Sequence, residues 1–238
     1  SDGGLSLVTI GGVRPNGERF SVVELLSGAW GGQEEHEGKD GVPNLGANVS
    51  NIPVEMLEAA VPVRVDRYGY VPDTGGAGLH RGGLSLEREY TFLGEAVLSV
   101  RSDRRAILPY GIGAAEPGTP SANRLWASGA EGDGEVMPSK FSRPVGAGDR
   151  FYHRTAGAGG WGYPLDRDAE AVVLDVRNGI LSRERARTRY GVVVTTGGTD
   201  VDSMATARER DARRSERAAQ PPAGRPTPLD ERLNPGSA

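Results

Sequence analysis

The chain has 238 residues, enough to form one large domain or two small ones with an apolar core. It carries 28 Lys and Arg residues against 32 Asp and Glu residues, and the formal net charge of -4 gives no global positive field to attract a nucleic acid or an anionic membrane. The absence of cysteine excludes disulfides, thiolate metal sites and a catalytic thiol, and no apolar run approaches the roughly 20 residues of a membrane span. We therefore expect a cytoplasmic protein that binds neither nucleic acid nor membrane.

The first predicted helix lies in NIPVEMLEAAVP (51–62), where Pro53 fits the first turn, Glu55 lies near the positive end and Pro62 ends the helix. Between residues 61 and 155, short segments rich in β-branched and aromatic residues alternate with turn residues. These predicted strands are VPVRVDRYGYV (61–71), LSLEREYTFL (84–93), AVLSVRSDRRAIL (96–108), NRLWAS (123–128) and DRFYHRT (149–155).

Glycine accounts for 36 residues, roughly twice its ordinary usage of about 7%. The glycines cluster between the apolar stretches, which indicates loops and tight turns within a folded body rather than a low-complexity segment.

The region after residue 164 is predicted to be helical. DRDAEAVVLDVRNG (166–179) forms a helix that Gly179 can cap in the left-handed conformation, and LSRERARTRYG (181–191) forms a second helix with Ser182 as N-cap and Gly191 as its end. VVVTT (192–196) then predicts a further strand.

The last segment contains no aromatic residue after Tyr190 and becomes charged and then rich in proline. It predicts a solvated helix near 203–219 followed by a disordered end, so that residues from about 205 onward should be dispensable for folding. The alternative is an arm that folds on a partner.

The domain prediction is therefore a folded unit over residues 1–195 and a tail over 196–238. The fold class is α+β and β-rich, with glycine-rich loops joining short strands, a helix-loop-helix appendage and a solvated tail.

Two glycine motifs resemble nucleotide-binding loops without meeting their requirements. DTGGAGLHRGG (73–83) lacks the terminal Lys and Ser/Thr of a phosphate-binding loop, and it leads into a predicted strand instead of a helix. AGAGGWGYP (156–164) contains G-x-G-x-x-G, but Tyr163 and Pro164 stand where the dinucleotide-binding helix would begin. We predict neither a phosphate loop nor a dinucleotide site.

The three histidines, His36, His80 and His153, are far apart in sequence and lack partners at the spacing typical of metal ligands. We therefore predict no metal site in this chain.

Polar residues embedded in the glycine-rich turns are the remaining candidates for a binding site, since glycine lets a ligand approach the backbone closely. An equal alternative is that Asp and Asn form turns while Arg pairs with them, for example Arg81 with Asp73. The candidate substrate-binding residues are Asp40, Asn44, Asp73, Arg81, Asp103 and Arg104.

Five ordered stretches resemble the hydantoinase B/oxoprolinase family, the B-type subunits or halves of ATP-dependent cyclic-amide hydrolases and related carboxylases. They are GAWGGQEEHEGKDGVPN (28–44), NVSNIPVEMLEAAVPVRVDRYGYVPDTGGAGLHRGGLSLEREY (48–90), VRSDRRAILPYGIGAAEPGTPSANRL (100–125), GDRFYHRTAGAGGWGYPLDRD (148–168) and DVRNGILSRERARTRYGVVV (175–194). The loop at 73–83 resembles the family's strand-connecting glycine loop, with Thr74 where Ser is more common.

The resemblance implies a C-terminal portion of a B-type subunit, because family members are commonly more than twice as long. It implies ATP-driven opening of a hydantoin or 5-oxoproline ring, with two alternatives: a carboxylase of acetone or acetophenone type, or a non-catalytic structural module of such a complex. The implied partners are an A-type subunit with an actin-like fold and the N-terminal half of the B-type subunit. ATP and a divalent metal are expected on those partner chains, with no cofactor bound by this one.

Overall fold

Nine strands in the described part of the chain form two antiparallel sheets. The structure is a computed structural model, and it describes residues 5–43, 46–47, 49–198 and 200–219. The first sheet has the order β2-β1-β5-β8, with strands β1 (Leu5–Val13), β2 (Arg19–Ser27), β5 (Ala96–Arg101) and β8 (Lys140–Val145). The second has the order β3-β4-β9-β6-β7, with strands β3 (Val63–Val71), β4 (Ser85–Phe92), β6 (Ala122–Trp126), β7 (Glu135–Val136) and β9 (Arg150–Arg154).

Side chains from both sheets form the main apolar core. Ile10 of β1 and Leu98 of β5 lie in the same buried cluster as Tyr90 of β4 and Phe151 of β9. The cluster is closed at one side by Leu57 of the first helix, α1 (Val54–Ala60). The predicted β-rich α+β fold is therefore confirmed, as are the helix at 51–62 and the five predicted strands, although the third ends at Arg101.

The hairpin of β1 and β2 was absent from the sequence prediction. Alternate residues of β1 are buried, and the turn places Gly17 at φ +85°, a conformation that glycine adopts without strain. The Asn16-Gly17 pair between two apolar runs is a hairpin signal that the printed sequence contains.

Two capped helices form the predicted appendage, α2 (Ala169–Arg177) and α3 (Arg183–Tyr190). Ser182 Oγ accepts a hydrogen bond from the backbone N–H of Arg185 at 3.1 Å, and Gly191 ends α3 in the left-handed region at φ +62°. Gly179 also has a positive φ, +70°. The predicted caps are confirmed.

The prediction of a strand at 192–196 is wrong. Only an isolated bridge joins Val194 to Val201, and Val192 is buried in a second apolar cluster with residues of α2 and α3. The backbone N–H of Val192 donates to Ala186 O and that of Val193 to Thr206 Oγ1, each at 3.0 Å, which leaves neither for a sheet ladder. The apolar run reflects core packing rather than strand pairing.

Helix α4 (Ser203–Ala219) matches the predicted helix near 203–219, but one face of it contacts the body. Thr206 is buried, and Arg210 donates from Nε to Tyr190 O at 3.1 Å and from Nη2 to Arg167 O at 2.6 Å. These contacts argue against the dispensability of residues from about 205 onward. The end predicted to be disordered, after residue 219, lies outside the described residues.

Four glycine-rich segments stack on one another beside the second sheet, and we call them the glycine lattice (residues 30–38, 74–83, 109–119 and 156–162). Backbone hydrogen bonds join the segments, as from Gly32 N to Gly159 O at 2.9 Å and from Gly76 N to Ala158 O at 2.8 Å. A Cβ on Gly82 would lie 1.9 Å from Ala158 O. The lattice therefore requires glycine because backbone packs directly on backbone.

Candidate functional site

A cleft of about 580 Å³, which we call cleft 1, opens on the glycine lattice. Its walls combine apolar side chains, a few polar groups and glycine backbone, the composition typical of small-molecule sites. The lining consists of Trp30, Gly31, Gly32, Gln33, Gly46, Arg104, Pro109, Tyr110, Ile112, Gly159 and Gly160.

The lattice holds the aromatic wall of cleft 1 in position. Trp30 donates its backbone N–H to Lys39 O and its indole Nε1–H to Pro43 O, at 2.9 and 3.0 Å. Tyr110 lies in the lattice segment 109–119, which packs closely on segment 156–162: a Cβ on Gly159 would lie 1.9 Å from Tyr110 O. The two aromatic residues thus lie on segments with little freedom to move.

A second cleft of about 630 Å³, cleft 2, lies on the other side of Arg104. Arg104 lines both clefts and has φ +57°, a left-handed conformation that is uncommon for a residue other than glycine. Asp103 is exposed at cleft 2. The remaining lining residues are Ser102, Arg105, Ala106, Ile107, Pro138 and Ser139.

A buried polar chain supports the wall of cleft 2. His153 Nδ1 lies 2.6 Å from Asn123 Oδ1, and Asn123 Nδ2 donates to Ser102 Oγ at 3.2 Å and to Pro138 O at 2.9 Å. Because Asn123 Oδ1 can only accept, Nδ1 of His153 carries the proton. Burial lowers the pKa of His153 to about 3, and the charge of Arg105 acts in the same direction, so the imidazole is neutral at physiological pH.

The structure brings together two of the predicted site residues, Arg81 and Asp40. Arg81 donates from Nη1 to Asp40 Oδ1 at 3.1 Å and from Nη2 to Asp40 Oδ2 at 3.2 Å, and Asp40 Oδ1 also accepts the backbone N–H of Leu84 at 2.6 Å. Burial lowers the pKa of Arg81, but Asp40, together with Asp175 and Glu37, outweighs this effect and raises it above its usual value.

Arg81 belongs to a larger buried ionic cluster that ties the appendage to the glycine lattice. Asp175 of α2 lies 3.9 Å from Arg81 Nε and accepts from Arg167 Nη2 at 2.8 Å, and Glu37 contacts both arginines. Burial raises the pKa of Asp175 and outweighs the opposing charges of Arg167 and Arg81. None of these side chains is in the lining of either cleft.

Asp73 is elsewhere. Its Oδ1 accepts the backbone N–H of Ser182 at 2.8 Å, its own N–H donates to Ile180 O at 3.1 Å, and its φ is +65°. The alternative in which Arg81 pairs with Asp73 is therefore wrong, since each has another partner. Asn44 lies outside the described residues.

Sequence reasoning missed most of cleft 1, including Trp30, Gln33, Tyr110 and Ile112. The available signal was the stretch ILPYGIG (107–113), which places large apolar residues among glycines in a loop. Large apolar side chains in such a loop are not buried by a helix or strand, so they are available to line a binding site.

Within the described ranges, His, Asp and Glu side chains form no group of three able to hold a metal ion. These residues do not fit a metal by themselves, and none of the roles proposed below involves one. Among the helices of the described segments, none combines the length and apolarity that crossing a bilayer requires.

The fold and the clefts together define a β-rich α+β unit in which a lattice of glycine backbone borders cleft 1 and one arginine, Arg104, lines both clefts. The chain belongs to the hydantoinase B/oxoprolinase family, whose family model matches residues 1–164. The resemblance inferred from the five sequence stretches is thus confirmed.

Named relatives and solved structures agree with this family. The chain is 31% identical over 207 residues to the caprolactamase subunit beta of Pseudomonas jessenii, covering 84% of this chain and 35% of the relative. The crystal structure of the ATP-dependent caprolactamase from Pseudomonas jessenii matches 88% of this chain and 37% of that chain, with a TM-score of 0.76 and 28% identity. A nucleotide-free acetone carboxylase structure matches 97% of this chain and 35% of that chain with a TM-score of 0.73, but its 19% identity shows the fold alone.

Three curated relatives match more than four fifths of this chain. The chain spans about a third of the length of each of them.

Proposed function

We propose that this chain is the C-terminal part of the B-type subunit of an ATP-dependent cyclic-amide hydrolase and that it acts with an A-type, ATP-binding subunit. The observation that carries the proposal is the match to the ATP-dependent caprolactamase, in which fold and sequence agree over 88% of the chain. The alternative of a carboxylase is supported by fold likeness alone, at 19% identity.

In this proposal, ATP transfers its γ-phosphoryl group to the amide oxygen and leaves as ADP. One water attacks the ring carbon and the ring C–N bond breaks to give the amine, and a second water cleaves the resulting acyl phosphate to a carboxylate and inorganic phosphate. Cleft 1 contributes to the substrate side of the site. Trp30 and Tyr110 offer aromatic surface to the ring, and the fixed lattice beneath them limits the conformational entropy lost on binding.

Arg104 is the residue that we assign to an anionic group of the substrate or to the carboxylate that ring opening creates. It lines both clefts, and a guanidinium binds a carboxylate through two parallel hydrogen bonds. We assign Asp103, which is exposed beside it in the lining of cleft 2, to a polar edge of the same molecule. A substrate role for Asp40, Asp73 and Arg81 stays a prediction, and their contacts favour a scaffold role instead.

The test is to isolate the chain from its native source, identify the chains that accompany it by mass, and assay the complex. The assay supplies ATP, Mg²⁺ and a panel of hydantoin, 5-oxoproline and caprolactam. We expect ring opening that depends on ATP in the complex and no turnover by the purified chain alone. Turnover that follows the isolated chain through purification, or a complex that never opens a cyclic amide, would contradict the proposal. A complex that instead carboxylates acetone or acetophenone would favour the alternative.

A further inference from the structure

An apolar ridge separates the two clefts, formed by Ile107, Leu108, Tyr110 and Ile112. Tyr110 is 71% exposed, Ile107 73% and Ile112 53%. These side chains fall within six consecutive residues of the loop between β5 and β6, which concentrates exposed apolar area in one short segment. Such patches on soluble proteins mark interaction surfaces.

The backbone that carries the ridge is rigidly fixed. Ile112 N donates to Gly160 O at 3.0 Å, Ile112 O accepts from Gly162 N at 2.8 Å, and Pro109 O accepts from Gly118 N at 2.9 Å. These hydrogen bonds hold the loop while its apolar side chains are exposed. A partner that packs on a preorganised surface loses little conformational entropy in ordering it.

Two strained residues flank the ridge. Arg104 has φ +57° and Ala114 has φ +70°, and neither is a glycine. Such conformations cost of order 1–3 kcal/mol each and persist only where the surrounding structure imposes them, often at functional surfaces. Ile107 lies in the lining of cleft 2 and Tyr110 in that of cleft 1, so the ridge borders both clefts.

We propose that the ridge is the surface on which the remaining part of a B-type polypeptide packs, and that this packing covers clefts 1 and 2. The inference rests on the proposed function. The chain spans about a third of the length of its relatives, so about two thirds of a B-type polypeptide lie outside the matched part and are available to pack on the ridge. The expected contact surface on that part is aliphatic and aromatic, to match the ridge.

Photo-crosslinking in the native assembly tests this proposal without relying on activity. Tyr110→p-benzoylphenylalanine places the probe on the ridge with little change in shape. The matched control is Leu93→p-benzoylphenylalanine, an exposed apolar position before β5, whereas the ridge follows β5. Strand β5, six residues and about 20 Å long, lies between the two positions in the chain.

We expect the Tyr110 probe to crosslink to a hydantoinase B-type polypeptide segment outside these 238 residues, identified by mass, and the Leu93 probe to give at least tenfold less of that product. Crosslinks to a second copy of this chain, to an A-type subunit, to residues 220–238, or to nothing would overturn the proposal.

A second measurement uses substitutions. Ile107→Ser with Tyr110→Ser should lower recovery of the B-type segment by at least tenfold, with Leu93→Ser within twofold of the unsubstituted chain. Equal recovery from all three would also overturn the proposal. If the crosslink forms but the unsubstituted native complex opens no cyclic amide, the interface stands and only the proposed function fails.

Discussion

Arg81 and Asp40 form a two-point hydrogen bond across 41 positions of sequence, with N···O distances of 3.1 and 3.2 Å. Arg81 is 8% exposed and also lies near Asp175 and Glu37. The pair joins the segment after Trp30 to the loop between β3 and β4, which makes it a tie within the scaffold.

Replacement of Arg81 should lower the stability of the chain, because Arg81 belongs to the scaffold rather than to the substrate site. We expect Arg81→Met to lower the free energy of unfolding by about 2–3 kcal/mol, below the usual cost of breaking a fully buried pair because Asp40 is part exposed. Arg101→Met, at the exposed end of β5, should cost less than about 0.5 kcal/mol. Stability and turnover measured on the same preparation decide the question. Unchanged stability with a loss of turnover would indicate that Arg81 binds the substrate.

The glycine lattice gives a second prediction with a matched pair of variants. A Cβ on Gly82 would lie 1.9 Å from Ala158 O, whereas a Cβ on Gly69 in β3 would meet nothing within 4 Å. Gly82→Ala should cost about 3 kcal/mol or more because backbone must move, and Gly69→Ala should be neutral or stabilising by up to about 1 kcal/mol. Chemical denaturation of both variants measures this. Equal stabilities would show that the segments can separate at no cost.

The contrast between these positions shows what the sequence can and cannot predict. Local signals sufficed for α1, the capped helices α2 and α3 and the five central strands, because periodicity and capping residues act within a few positions. The lattice depends on contacts between segments far apart in sequence, such as Gly32 with Gly159, and no local pattern encodes which glycines meet. For the same reason the sequence singled out Arg104 but missed Trp30 and Tyr110, which share its cleft only after folding.

Helix α4 should contribute to stability through Arg210. Its guanidinium donates to Tyr190 O and Arg167 O, two carbonyl groups at the end of α3 and before α2. Arg210→Ala should lower the free energy of unfolding by about 1–3 kcal/mol because these acceptors lose charged donors. Arg208→Ala, on the exposed face of the same helix, is the control and should change it by less than about 0.5 kcal/mol. If both variants match the parent chain, the Arg210 contacts do not stabilise the fold.

The buried His153 should make the chain less stable in mild acid. Its pKa is lowered to about 3 in the folded state by burial, against about 6.5 when unfolded, so the unfolded state binds the extra proton between these values. Stability is therefore lost as pH falls below about 6.5, by roughly 1–2 kcal/mol between pH 6.5 and 5 from this group. Denaturation at several pH values measures the slope, which His153→Gln should reduce. An NMR titration gives a check that needs no variant, since the His153 ring signals should not shift between pH 7 and 5.

Arg104 gives the sharpest test of the cleft. Arg104→Asn removes the guanidinium and keeps a residue that tolerates the left-handed backbone at φ +57°, so the fold and melting temperature should change little. In the native complex we expect kcat/KM for a cyclic amide to fall about tenfold or more, since a charge-assisted contact to an anionic group contributes about 1.5–3 kcal/mol. Arg101→Asn removes the same charge from the exposed end of β5, outside the lining of both clefts, and should change kcat/KM less than twofold. Equal effects of the two substitutions would show that only the overall charge matters, and the assignment of Arg104 to the substrate would then be wrong.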